Sequence, residues 1–153
     1  MYQTFSYEEL LERDGSFVYT FRGVSMMPLL RQKRDLIVIE KKGSARSNQY
    51  DTVLFVRPRA SGGRDYVLHR VLKVLDDGTY WIVGDNCVSG DTVREEQILG
   101  VMTSFVRGGR TISVTDPVYQ LYVALWCKPY RLRFAVLQLR GFAAKCWHKL
   151  RGE

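Results

Sequence analysis

Apolar and polar positions change their rhythm once along the chain, alternating up to about residue 115 and recurring at helical spacing after it. Phe17, Tyr19 and Phe21 alternate with Val18, Thr20 and Arg22, the period of two that puts one set on each face of a sheet. Six further β-rich runs are Leu36 to Glu40, Thr52 to Arg57, Tyr66 to Val74, Thr79 to Gly84, Ile98 to Arg107 and Arg110 to Val114. Asp76-Asp77-Gly78 and Gly108-Gly109 separate consecutive runs as hairpin turns. Ahead of the strands, Glu8 to Arg13 predicts a short helix with Leu10 and Leu11 on its apolar side, ended by Asp14-Gly15. Short strands at this density predict a mostly β, mostly antiparallel domain coiled into a partly closed barrel.

After Asp116 the period lengthens. Val118, Leu121, Tyr122, Leu125 and Trp126 recur at i, i+3, i+4, i+7 and i+8 until Pro129 interrupts them. A second helix is predicted from near Arg131, with Leu132, Val136, Leu139, Ala143, Cys146 and Leu150 as its apolar stripe and Arg133, Arg140, Lys145 and Lys149 largely off it. The chain therefore divides into a β-rich domain, 1–115, and C-terminal amphipathic helices, 116–153.

Charge sharpens that division. The 153 residues carry a net +7. From Pro117 onward there are seven Lys or Arg and one acid, Glu153, so the helical tail supplies +6 and the β domain is near neutral. Two readings of the tail stand side by side: a helical pair folded over the sheet with a solvated basic face, or a peripheral anchor on an anionic membrane. Trp126, Trp147, Tyr119, Tyr122 and Tyr130 beside Lys and Arg suit the second. The absence of a nucleic-acid motif in the tail speaks against nucleic acid as the partner. The opening residues Met1 to Glu9 are acidic where a secretory signal would be basic, and the uncharged stretch Pro117 to Cys127 is eleven residues, against roughly 20 for a spanning helix. The expected location is the cytoplasm or a membrane periphery. Cys87, Cys127 and Cys146 are an odd, widely spaced set, and His69 and His148 are the only histidines. Neither a disulfide framework, nor a zinc site, nor a cofactor is expected from them.

The chemistry-bearing residues lie in three segments. Gly23-Val24-Ser25-Met26-Met27-Pro28 presents a serine in a turn bounded by glycine and proline. A serine hydroxyl is a poor nucleophile until a neighbouring base takes its proton. His69, on one face of a strand with Val67 and Val71, offers a base that is neutral near physiological pH. A histidine base gains from a carboxylate that fixes its tautomer, and Gly84 to Asp91 supplies Asp85 and Asp91. Asp85, between Gly84 and Asn86, suits a loop-holding role through backbone hydrogen bonds, which makes Asp91 the better orienting acid. Taken singly, each residue has a bland alternative: Ser25 as a turn serine, His69 as a half-buried strand histidine, Asp91 as the cap of Thr92 to Gln97 and Cys87 as a small loop residue.

Together these segments resemble the type I signal peptidase family in its Ser-His branch, typified by endoplasmic-reticulum and archaeal enzymes. The Ser-Met-x-Pro pattern stands here as Ser25-Met26-Met27-Pro28, His-Arg-Val as His69-Arg70-Val71, and Gly-Asp-Asn as Gly84-Asp85-Asn86, with the later acid at Asp91. Tyr50-Asp51-Thr52-Val53-Leu54-Phe55 stands where the family has Gly-Asp-Ile-Val-x-Phe, and the resemblance covers about Phe17 to Arg107. It implies a serine endopeptidase acting on a leader or signal-like peptide, with Ser25 as nucleophile, His69 as general base and Asp91 as orienter. The backbone N–H of Ser25 would serve the oxyanion hole, and Gly23 has no hydroxyl to add to it. Typical members carry a membrane-spanning helix before the serine, whereas the 24 residues preceding Ser25 are polar or β-like. Repressor-type self-cleaving peptidases look similar but use a lysine where this strand presents His69. The remaining alternative is an inactive peptidase scaffold that binds membrane or nucleic acid through its tail.

Overall fold

The computed structural model describes residues 5–151, except the side chains of 145, 146 and 148–151. The readings above on Met1 to Thr4, on the side chains of Lys145, Cys146, His148, Lys149 and Leu150, and on Glu153 lie outside the described residues. Helix α1, Tyr7–Asp14, begins at a capping box in which Ser6 Oγ accepts from the Glu9 N–H and the Glu9 carboxylate accepts from the Ser6 N–H. It ends at Gly15, whose φ of 72° is the left-handed closure that glycine adopts freely.

Eight strands follow: β1 (Ser16–Tyr19), β2 (Asp35–Lys41), β3 (Thr52–Pro58), β4 (Arg64–Val74), β5 (Tyr80–Val83), β6 (Gly90–Val93), β7 (Ile98–Arg107) and β8 (Arg110–Ser113). All pair antiparallel in one sheet of order β1-β2-β7-β3-β4-β5-β6, with β8 on β7. The sheet is mostly antiparallel as expected but is not closed into a barrel. Closure would require β1 to meet β6, and these are four-residue strands at opposite ends of the order. Alternation along a strand fixes which face a residue takes and carries no information about which edges meet.

The two faces bury different things. Directly opposed residues share a face, so the pairs Val53 with His69 and Phe55 with Val67 put His69 on the side of the smaller core, built on Val53, Phe55, Val71, Tyr80, Ile82, Val93 and Ile98. The opposite face carries the larger core around Met26, Leu30, Ile37, Ile39, Leu54, Leu68, Met102 and Phe105. Tyr119, Val123 and Cys127 complete that core from the C-terminal segment.

Helix α2 (Pro117–Tyr122) runs into a π-helical turn, Val123–Cys127, and α3 spans Tyr130–Arg151. Here the structure rotates the face expected from apolar periodicity. Tyr119, Val123 and Cys127 point inward, with Tyr122 and Trp126 half-buried beside them, while Val118, Leu121 and Leu125 are 58% to 77% exposed. The reason is polar: Tyr122 and Trp126 hydrogen-bond to Asp85, a buried acid in the turn after β5, a partner that leucine has no group to use.

Candidate active site

The serine turn is held from both ends. Met26 and Leu30 are fully buried and anchor its base, and Leu30 N–H donates to Met26 O at 2.9 Å. Gly23 opens it with φ 101°, a conformation costly for a residue with a Cβ, and its N–H donates to Gln32 Oε1 at 2.9 Å. That bond engages the Gly23 donor and takes it out of any oxyanion hole in this turn. Beyond the turn, Asp35 accepts from the Arg31 N–H at 2.9 Å and from Arg107, which also donates to Leu29 O. Burial pushes the Asp35 carboxyl up, but the bonds from Arg107, Arg31 and Arg34 outweigh it and hold the group at about 2. Neither Gln32 nor Arg107 was singled out by sequence motif, since each acts through a loop whose path periodicity does not report.

Asn86 ties this turn to the end of β5. Its N–H donates to Ser25 O at 2.7 Å and its side-chain amide to Val24 O at 3.2 Å. Gly84 makes that approach feasible. A Cβ there would lie 2.6 Å from Ser25 O, 2.9 Å from Cys87 Sγ and 3.0 Å from His69 Nε2. Three segments far apart in sequence thus meet over one glycine. Arg70 pairs with Val83, so one rung on, His69 faces the Gly84 that follows β5. Cys87, read from sequence as a loop residue, sits in this cluster, and burial raises its thiol pKa, which keeps it protonated.

His69 is half-buried against Phe55, and its Nδ1 is buried without a hydrogen-bond partner. Burial lowers its pKa below 6.5; Asp91 and Asp85 act against that and Arg57 adds to it. Among the described residues no hydrogen bond joins Ser25 Oγ to His69, or His69 to Asp91. Both Asp91 oxygens instead lie 3.4 Å from Arg57 Nη1. Asp91 reaches His69 through its field and not through contact. Arg57 was missed at the sequence level, although its step of two from Val53 and Phe55 puts it on the His69 face.

Asp85 is fully buried and does more than brace a loop. Arg70 donates to both of its oxygens at 2.8 Å, Tyr122 OH donates at 2.9 Å, and Trp126 Nε1 donates to its backbone O at 3.1 Å. Arg133, 2% exposed, reaches it from α3 at 3.5 Å. The loop-holding role expected for Asp85 therefore runs through its side chain, and its carboxylate is committed away from His69. The helical segment from Pro117 onward supplies the cap over this pair.

A groove of about 960 Å³ opens beside the site, between the loop Asn86 to Ser89 and the α3 residues Leu137, Gly141 and Ala144. Among the described residues no three His, Cys, Asp or Glu side chains gather as a metal site. Comparison with models of protein families, with curated proteins and with solved structures finds no match to this chain.

Proposed function

We propose that the protein is a serine endopeptidase of the signal-peptidase type, with Ser25 as nucleophile and His69 as general base. The observation that carries this reading is the convergence of the Ser25 backbone O and His69 Nε2 on Gly84, which puts the serine turn beside an imidazole that burial keeps neutral. The mechanism needs Oγ in contact with Nε2, and contacts of this kind commonly tighten only when substrate binds. His69 would take the Oγ proton as Oγ attacks the scissile carbonyl, the Ser25 N–H would receive the developing oxyanion, and the same proton would leave on the departing amine. Water would then repeat the cycle on the acyl-enzyme. Asp91 contributes by raising the basicity of His69 across space.

The test is intact-mass labelling with a broad serine-acylating probe. Wild type should gain one adduct and Ser25→Ala none, with hydrolysis falling on the order of a thousandfold or more in Ser25→Ala and in His69→Ala. Equal labelling of wild type and Ser25→Ala would remove Ser25 from the mechanism. No labelling of a folded wild type would favour an inactive scaffold.

A further inference from the structure

The outer face of the C-terminal helices carries an apolar strip that the fold leaves uncovered. On α3, Leu132, Val136, Leu139 and Ala143 recur every three or four residues and all are exposed, with Leu132 and Leu139 at 65% and 68% and Phe142 beside them at 68%. Val118, Leu121 and Leu125 extend the uncovered apolar surface along the preceding segment. The opposite side of α3 is occupied: Arg133 reaches Asp85 and Phe134 stacks edge-on against Trp81 at 6.0 Å, while the groove beside Asn86 to Ser89 is bordered by Leu137, Gly141 and Ala144 and, from the edge of the strip, by Arg140, Phe142 and Ala143. The exposed strip is thus a second face, additional to the one the fold uses.

Charge identifies what covers it. Residues 117–151 hold seven Lys or Arg and no Asp or Glu. Lys128, Arg131 and Arg140 are exposed, and at about 100° per residue Arg131 and Arg140 fall on opposite sides of the Leu132–Leu139 strip. A second copy of this chain would bring like charges together across such a strip. A spanning arrangement is ruled out for this helix, because no helix among the described residues is long and apolar enough to cross a membrane. We infer that the outer face of α3 lies on an anionic lipid surface, with its leucines and Phe142 among the upper acyl chains and its arginines at the headgroups.

The inference does not depend on the peptidase reading, and the test keeps the two apart. Full-length protein is sedimented with vesicles of phosphatidylcholine alone and of phosphatidylcholine with phosphatidylglycerol, at low and high salt. Wild type and Ser25→Ala should bind the anionic vesicles equally, bind the neutral ones far more weakly, and release at high salt. Arg131→Gln with Arg140→Gln should weaken binding roughly 30-fold. Leu132→Ser with Leu139→Ser should weaken it about tenfold or more with the circular dichroism spectrum unchanged, because both side chains are already in water. No binding to anionic vesicles, or equal binding to both kinds, would overturn the inference. So would a wild-type dimer that the leucine variant dissolves, which would reassign the strip to a second copy.

Discussion

At the residue scale the decisive quantity is the protonation of His69. Its Nδ1 is buried without a partner, and burial outweighs the two nearby carboxylates, so the folded-state pKa lies below 6.5. In the proposed mechanism the neutral imidazole is the base, so activity should rise with pH with a midpoint under that value. Asp91 raises the His69 pKa and Arg57 lowers it, so Asp91→Asn should shift the midpoint further down and Arg57→Gln should shift it up. An NMR titration of His69 reads both shifts without a substrate; an unchanged midpoint in both variants would place neither group in the field of the imidazole. The same sign applies to stability. The folded state resists protonation that the unfolded chain accepts, so the contribution of His69 is full above 6.5 and falls as pH drops through and below it. Sequence spacing made Ser25 and His69 legible as a pair because each sits in a distinctive local string. The partner of Asp91 was not legible, because Arg57 lies on β3, three strands from the β6 that carries Asp91, and no local pattern relates the two.

At the element scale the strand runs were readable, with β7 matching Ile98 to Arg107 and the other ends within three residues, but one strand was not. β6 escaped notice because Gly90-Asp91-Thr92-Val93 has one apolar residue and hence no period, although its ladder with β5 is regular. The face of the first C-terminal helix was misread for a related reason: apolarity ranks leucine above tyrosine, whereas Tyr119, left off the expected apolar face, goes inside to reach Arg70. The junction of β5 with the serine turn yields the sharpest test. Gly84 does not have a positive φ, so its backbone is open to any residue; what demands glycine is space. Gly84→Ala would put a methyl 2.6 Å from a backbone carbonyl that is itself held by Asn86, so the turn must move as a unit. The expected cost is on the order of 1–3 kcal/mol in chemical denaturation, with serine labelling lost even where the variant remains folded. Unchanged stability and labelling would mean that the serine turn is not held against β5.

At the scale of the whole molecule the question is whether 1–115 is a domain with a tail or two parts of one core. Charge divides the chain near Asp116, and the sequence leaves a helical pair folded over the sheet and a membrane anchor side by side. Packing crosses it. Tyr119, Val123 and Cys127 are buried in the larger core, and together they account for roughly 4–8 kcal/mol of burial, against a net stability of about 5–15 kcal/mol for a typical domain. The same segment encloses Arg70 and Asp85, whose hydrogen bonds to Tyr119, Tyr122 and Trp126 exclude water from the ion pair. A chain ended at Thr115 would return that pair to solvent and open Met102 and Phe105 on the sheet and Leu29 in the serine turn. It should therefore lose its cooperative thermal transition and bind a hydrophobic dye, whereas a chain ended after Phe134 keeps the inward-facing residues and should retain a transition. Scanning calorimetry of the two truncations separates the cases: a 1–115 chain melting near the full-length temperature would show the helices to be an appendage. The opposite result would tie the lipid-facing helix and the Ser25–His69 cleft to one cooperative unit, with α3 packing inward through Arg133 and outward through Leu132 and Leu139.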